Sequence, residues 1–289
     1  MTNVIAMNAH GMAVMWASSG NAFEFGPDTA GPRGFENTGM PIVAQLDVAG
    51  FSAFVEYLDG LRGQDLDLAI VMDATQSMEP MVNEARAGIE QLILFFDDLS
   101  RSFRLAVIAF RDDDNPPVWE GQPLSDDIRA VRTFLFKVRI SGGADLPEAV
   151  LDGLAACAQL DWNEGATRQV ILVGDARPHD EDVYRIGGLL EEMANNEIVV
   201  HTVHVPMEMN DRYRRALPPV EVEAYEARID DHNAKTVTAF QDIADGGGGD
   251  AVKLDDAQQL VPAIMHLTIA EAWWNAFDEF YVVYLRMCR

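Results

Sequence analysis

Strongly apolar runs alternate with amphipathic segments along most of this chain. The runs are short, and most of them carry apolar residues on both faces, which is typical of buried parallel strands. They are Leu68–Met72, Phe103–Phe110, Gln169–Val173, Ile198–Val205 and the shorter Ala251–Leu254. Because strand and helix patterns alternate, the sequence predicts an α/β fold with an open, mostly parallel sheet that is covered by helices on both faces.

The intervening segments place apolar residues at helical spacing. They are Phe51–Leu61, Met78–Leu99, Asp126–Val138, Glu148–Leu160, Asp180–Asn195, Thr236–Ala244 and a segment that starts at Ala257 and continues through the tail. Ser125 is the expected cap of the third helix. Residues 206–234 interrupt the alternation with polar and charged residues, so we interpret them as an insertion with a helix near 221–231.

Both ends of the chain lie outside this alternating region. We interpret residues 1–65 as an N-terminal extension that contains a possible hairpin, Val4–Ala6 with Met12–Trp16. Residues 270–289 carry large aromatic side chains at helical spacing and predict a C-terminal amphipathic helix. We expect this helix to pack on residues 1–61, and residues 66–269 to form the main domain.

The composition excludes several classes of function. The 289 residues carry 47 acidic against 21 basic side chains, a formal net charge of −26, which makes nucleic acid and anionic membranes poor partners. Two cysteines are too few for a disulfide framework or a thiolate metal site. With no apolar run of membrane-spanning length and no recognisable secretory signal, a cytoplasmic location is expected.

Oxygen-bearing side chains follow the strand segments. Asp73, Thr75 and Ser77 come directly after the first strand, and Asp175 ends another. A Gly-rich loop, 141–148, brings further acids. In open α/β sheets, ligands bind beyond the carboxyl ends of the strands, and hard oxygen ligands suit Mg²⁺ or Mn²⁺. The alternative for Thr75 and Ser77 is that they only cap the following helix.

Taken together, these segments resemble the von Willebrand factor A domain with its metal-ion-dependent adhesion site. The matching features are D-x-T-x-S at 73–77, D-x-P-E-A at 145–149, the Asp175 strand end, and FQDIADGGGGDAVKLDDAQQLVPAI at 240–264. The resemblance covers about residues 66–269. It implies a Rossmann-like, doubly wound fold and a Mg²⁺ or Mn²⁺ site that recognises an Asp or Glu on another protein.

The resemblance also implies roles for individual residues. Thr75 and Ser77 would coordinate the metal directly, and Asp73 and Asp175 would act partly through water. The loop at 141–148 lacks the Thr that many members of the family supply, so Glu148, or else Asp145, would take that place. Gln76 departs from the small residue that is common there and would narrow the site.

Two other functions compete with this one. Asp73 followed by Thr75, with Gly174-Asp175 downstream, partly resembles the haloacid dehalogenase-like phosphotransferases. However, the position two after Asp73 is not the Asp that would serve as general acid, and no Lys lies in a suitable loop between Phe110 and Asp175. We therefore expect the protein not to be an enzyme. The remaining alternative is a structural scaffold that binds no metal.

Overall fold

The computed structural model describes residues 4–7, 13–16, 22–24, 48–112, 117–143, 147–209, 211–254, 256–274 and 277. The chain divides into two compact units. Residues 64–268 form the larger unit, and residues 1–63 together with 269–289 form the smaller one. Within the described residues, no helix is both long and apolar enough to cross a bilayer.

The larger unit is built on a six-stranded sheet with the order β6-β5-β4-β7-β8-β9. The strands are β4 (Asp65–Asp73), β5 (Ser102–Phe110), β6 (Trp119–Ser125), β7 (Ala166–Gly174), β8 (Ile198–His204) and β9 (Gly248–Lys253). All neighbours are parallel except β5 and β6. The mostly parallel sheet confirms the predicted doubly wound, Rossmann-like α/β fold.

Helices connect these strands. They are α2 (Glu79–Leu99), α3 (Ile128–Lys137), α4 (Val150–Ala158), α5 (Val183–Asn195), α6 (Asp211–Ala216), α7 (Pro219–Gly246) and α8 (Leu260–Leu267). Apolar residues of β4, β5, β7 and β8 pack against α4, α5 and α7 in one buried cluster. The central strands are buried along nearly their whole length, as their uninterrupted apolar sequences predict.

The register of the parallel strands aligns their carboxyl ends. Asp73 pairs with Phe110 across β4 and β5, and Gly174 pairs with His204 across β7 and β8. The residues that follow these strands therefore all emerge at the end of the sheet where the parallel strands terminate, which we call the carboxyl edge. The turn after β4, the loop after β7 and the loop before α4 all meet at this edge.

One strand of the six-stranded sheet was missed by the sequence pattern. Trp119–Ser125, for which no element was predicted, forms the antiparallel edge strand β6. The residues of this strand alternate between exposed and half-exposed, so its sequence contains no apolar run. It also contains Pro123, which is tolerated at a sheet edge. The predicted Ser125 cap is also wrong, because Asp127 caps α3 by accepting from the backbone N–H groups of Arg129 and Ala130.

The insertion differs from its expected form. The two helices expected near 221–231 and at Thr236–Ala244 are one continuous helix, α7, of 28 residues. The chain between them contains neither glycine nor proline, so nothing in the sequence ends the helix there.

The smaller unit contains a three-stranded antiparallel sheet and one long helix. Its strands are β1 (Val4–Met7), β2 (Ala13–Trp16) and β3 (Ala22–Glu24), and its helix is α1 (Val48–Arg62). The strands β1 and β2 confirm the expected hairpin, and β3 extends it. Helix α8 ends at Leu267 and a 3-10 turn follows at Glu271–Trp273, so the single helix expected from Ala257 through the tail is wrong. Residues 278–289 lie outside the described residues.

Candidate metal site

Asp73 is fully buried at the end of β4, and its carboxylate is held by the turn that follows. The backbone N–H and the hydroxyl of Thr75 both donate to Asp73 Oδ1, each at 2.7 Å. The Thr75 Oγ1 lies 3.2 Å from the Ser77 Oγ. The carboxylate and the two hydroxyls therefore lie side by side, as their alternate spacing in the sequence predicts.

The capping interpretation of these hydroxyls is wrong. Thr75 begins the 3-10 turn Gln76–Met78 but makes no side-chain cap hydrogen bond to it. The N-cap position of α2 is occupied by Met78, which also provides no side-chain cap. The Thr75 hydroxyl is directed to Asp73 instead.

Glu148 enters the site from the loop between α3 and α4, which we call the middle loop. It is buried, and three neighbouring segments hold it. The Asp112 backbone N–H donates to Glu148 Oε2 at 3.0 Å, and the Glu148 backbone N–H donates to the Arg177 carbonyl at 3.0 Å. Within the same loop, Gly143 approaches Thr75 so closely that an added Cβ would lie 3.0 Å from the Thr75 Cβ. The middle loop thus lies against both Thr75 and Asp112.

Asp175, the residue after β7, completes the group. It is buried, and a hydrogen bond links it to Ser77. Its backbone carbonyl lies 2.8 Å from Nε2 of His232, a buried residue of α7. Asp175 is therefore joined to the turn after β4 through its side chain and to α7 through its backbone.

The carboxyl groups repel one another in this buried environment. Burial, followed by the charge of Asp175, raises the pKa of Asp73 from 3.8 to about 8. Burial, followed by the charge of Asp73, raises the pKa of Glu148 from 4.5 to about 9. Burial also raises the pKa of Asp175, although hydrogen bonding from Ser77 and the charge of His232 oppose that shift. Each carboxyl therefore strongly disfavours its ionised form unless a positive charge is present.

The donor atoms fit a divalent cation that is bound partly through hydroxyls. Asp73 Oδ2 is buried and no N–H or hydroxyl donor reaches it, although buried polar atoms are normally satisfied. The Asp73 carboxyl lies against that of Asp175, and the two can share a hydrogen bond only when one of them is protonated. Among the described residues, no group of three or more Asp, Glu, His or Cys side chains is placed so that it could hold a metal ion. A metal at this site would need the Thr75 and Ser77 hydroxyls and water as further ligands, which are ligands that Mg²⁺ accepts.

The structure brings together five of the six residues predicted to bind metal: Asp73, Thr75, Ser77, Glu148 and Asp175. Four of them are buried, whereas Ser77 is exposed and borders the opening. The sixth, Asp145, lies outside the described residues.

Sequence reasoning missed the residues that support this site. His179 Nε2 lies 2.6 Å from Oδ2 of Asp112, the residue whose backbone N–H donates to Glu148. Arg111 is fully buried, where it donates to the Arg139 carbonyl and pairs with Glu120. His232 lies in the insertion. Of these three residues, only Arg111 could have been found from the sequence. An arginine directly after a buried strand is itself expected to be buried, and a buried charge needs partners.

Comparison with known proteins agrees with this architecture. The von Willebrand factor A domain family model matches residues 67–256, which is more than half of the chain. This protein belongs to the von Willebrand factor A domain family. The match includes all five residues of the candidate site, and the mostly parallel sheet is the one expected for such a domain.

Individual relatives share only part of their length with this chain. It is 29% identical over 124 residues to the alpha-protein kinase vwkA of Dictyostelium discoideum, a match that covers 41% of this chain and 20% of the kinase. It is 32% identical over 114 residues to the putative ariadne-like RING finger protein R811 of Acanthamoeba polyphaga mimivirus, covering 39% of this chain and 11% of that protein. The chain thus matches a fifth or less of each relative.

A solved structure supports the fold alone. The pilus adhesin SpaC from Lactobacillus rhamnosus GG, in its open conformation, superposes with a TM-score of 0.50 at 12% sequence identity. The superposition covers 70% of this chain and 29% of the adhesin.

Proposed function

We propose that this von Willebrand factor A domain is a metal-dependent protein-recognition module. Asp73, Thr75, Ser77, Glu148 and Asp175 would hold one Mg²⁺ or Mn²⁺ ion at the carboxyl edge of the sheet. The bound ion would supply two positive charges and an exchangeable coordination position for a carboxylate oxygen. Domains of this family are often protein-interaction modules, which supports recognition as the purpose of the site.

The buried, unpartnered Asp73 Oδ2 carries this proposal. An isolated buried carboxylate oxygen costs free energy, and here two further carboxyls raise that cost. Within the part of the chain that the structure describes, no arginine or lysine is seen to pair with these acids, whereas Arg104 pairs with the buried Asp67 elsewhere in the sheet. An arrangement that gathers acids and hydroxyls without a basic partner suits an incoming cation.

The expected partner is a protein that presents an Asp or Glu. The full chain carries a formal net charge of −26, so an extensively acidic partner would be repelled at long range. Close to the ion, local coordination outweighs this field, because the partner carboxylate replaces bound water. We therefore expect a single acid on a neutral or basic surface, and binding that weakens as salt is raised.

Isothermal titration calorimetry with Mg²⁺ and with Mn²⁺ tests the metal site. Wild-type protein should bind one ion, and Asp73→Ala should abolish binding while circular dichroism shows an intact fold. Asp242→Asn, which removes an exposed acid from α7, serves as the control and should bind like wild type. Unchanged affinity in a folded Asp73→Ala variant would exclude this site.

We also propose that the site binds without catalysing phosphoryl transfer. Asp73 Oδ1 accepts two hydrogen bonds from Thr75, which occupies the position where a phosphotransferase of the haloacid dehalogenase type would need an acid. Assays with several phosphomonoesters and Mg²⁺ should show no turnover. Turnover that disappears in Asp73→Asn would favour an enzyme instead.

A further inference from the structure

The N-terminal half of helix α7 projects beyond the sheet. His232 is level with the carboxyl edge, because it contacts the carbonyl of Asp175. Further along the helix, Gly247 accepts from the backbone N–H of Val200 near the start of β8, so α7 runs antiparallel to the strands. Residues before His232 therefore continue past the edge, and Pro219–Asp231 is about 20 Å long at helical rise.

Burial along α7 agrees with this placement. The buried residues of the helix all lie between Ile229 and Ala244, where it packs on the sheet. None of residues 219–228 is buried. The projecting part forms a wall next to the candidate metal site, and an exposed 3.0 Å ion pair between Arg214 and Glu226 links it weakly to α6.

A groove of about 340 Å³ lies at the base of this wall. Its volume falls within the ~300–1,000 Å³ range of small-ligand sites. We call it the insertion groove. Its lining residues come from the loop after β8 and from α6 and α7: Met207, Glu208, Met209, Arg214, Glu226, Ile229, Asp230 and Asn233. The Asn233 side chain fixes the loop by bonding both the N–H and the carbonyl of Met207, at 2.9 and 3.0 Å.

The lining of the insertion groove combines two kinds of surface. Met209 and Ile229 are buried apolar residues beneath it, and Met207 is half-buried, so most of the open lining is polar. Three carboxylates against one guanidinium leave a formal charge of −2, and the guanidinium of Arg214 is already paired with Glu226. A cationic side chain matches the remaining charge, and the half-buried Met207 can contact its aliphatic stem.

We propose that the insertion groove receives an arginine or lysine side chain of the partner whose carboxylate enters the metal site. This inference rests on the proposed function and adds a second requirement for the partner. The two positions are adjacent, because Asn233 lines the groove and its neighbour His232 holds Asp175. The insertion then selects, among acidic loops, those that also carry a nearby basic residue.

Methyl NMR of the full chain tests this proposal. The protein is labelled at its 13 methionine ε-methyl groups, and the Met207 and Met209 signals are assigned from Met207→Leu and Met209→Leu. N-acetyl-argininamide should shift these two signals in proportion to saturation, and less at higher salt. The neutral isostere N-acetyl-citrullinamide should not. Equal shifts from both compounds, or none at these signals, would overturn the proposal.

Two double variants complete the experiment. Glu208→Gln/Asp230→Asn should abolish the arginine-dependent shifts. Glu191→Gln/Asp242→Asn removes two exposed acids from α5 and α7 and should leave them unchanged. Mg²⁺ titration distinguishes the two proposals. If wild-type protein binds Mg²⁺ but shows no arginine-dependent shifts, the groove proposal is refuted and the metal-site proposal is not. If it shows these shifts but binds no Mg²⁺, the metal-site proposal is refuted and the groove proposal is not.

Discussion

Thr75 connects the two halves of the candidate site at the residue scale. Its backbone and hydroxyl bond Asp73, and its methyl side faces Gly143 of the middle loop. Gly143 has a φ of 80°, a left-handed conformation that glycine adopts at little cost. The close approach between Gly143 and Thr75 allows the middle loop to bring Glu148 next to Asp73.

Gly143→Ala should therefore destabilise the protein and weaken metal binding. The new methyl would lie 3.0 Å from the Thr75 Cβ, in a conformation that costs about 1–2 kcal/mol for a residue with a side chain. Urea unfolding measures the loss, and calorimetry measures Mg²⁺ affinity. The control is Gly187→Ala in α5, where the added methyl meets open space and should stabilise the helix by up to about 1 kcal/mol. A neutral Gly143→Ala variant would contradict this account of the loop.

The raised carboxyl pKa values predict a pH dependence of stability without metal. In the folded state the pKa values of Asp73 and Glu148 are about 8 and about 9, whereas the unfolded chain restores ordinary values near 3.8 and 4.5. Between these limits the folded protein binds more protons than the unfolded chain. Its free energy of unfolding should therefore fall as pH rises, by at most about 1.4 kcal/mol per pH unit for each proton.

Urea unfolding in EDTA from pH 5 to pH 8 measures this slope. Asp73→Asn should flatten the slope, and saturating Mg²⁺ should oppose the loss of stability at high pH, because the ion binds only the folded protein. The exposed-site variant Asp242→Asn should keep the wild-type slope. A stability that rises with pH through this range would show that these carboxyls are not buried together.

At the scale of elements, Arg111 joins the carboxyl end of β5 to β6 and to the middle loop. Its guanidinium pairs with Glu120 of β6 and donates to the carbonyl groups of Pro117 and Arg139. The next residue, Asp112, donates its backbone N–H to Glu148 and accepts from Gly143 at its carbonyl. Arg111 is thus a positioning residue for the middle loop.

Arg111→Met should remove this support. The Arg111 guanidinium is buried but Glu120 is 30% exposed, so losing these hydrogen bonds should cost about 1.5–3 kcal/mol, and a loosened middle loop should also lower Mg²⁺ affinity several-fold. Arg132→Met provides the matched control, because its pair with Glu90 is exposed and should contribute about 1 kcal/mol or less. Urea unfolding and calorimetry on both variants give the comparison. Equal effects would show that Arg111 has no special role.

At the scale of the whole molecule, the two ends of the chain meet in the smaller unit. Trp273 lies 5.4 Å from Tyr57 and 5.8 Å from Phe54 of α1, measured between ring centroids. The Tyr57 hydroxyl accepts from the backbone N–H of Ala270 at 2.9 Å. These contacts join Ala270 and Trp273 to α1, whereas the packing of residues 278–289 lies outside the described residues and stays a prediction.

Truncation after Ala270 should therefore destabilise the smaller unit. Trp273→Ala tests the same contact more locally and should lower the free energy of unfolding by about 1–3 kcal/mol. Removing a fully buried aromatic side chain costs about 3–5 kcal/mol, and Trp273 is only half-buried. Calorimetric scanning follows both variants, with Tyr184→Ala at a fully accessible aromatic as control. If both remain as stable as wild type and monomeric, the aromatic tail serves a partner instead.

The sequence alone was sufficient for the features that repeat along the chain. Uninterrupted apolar strands predict a buried parallel sheet, and parallel strands must bring their carboxyl ends to one edge. The acids and hydroxyls that follow Met72, and Asp175 directly after β7, could therefore be assigned to one site from the sequence. Their residue types also suggested a hard cation.

Only the tertiary structure decided which neighbours these residues have. Edge strand β6 lacks an apolar run because it is half-solvated, and it becomes visible only through its pairing with β5. His232 and Asp175 are far apart in sequence, and their contact depends on how α7 crosses the sheet. The projecting helix and the insertion groove arise in the same way. Periodicity reports which face of an element is buried, but contacts between distant segments depend on packing.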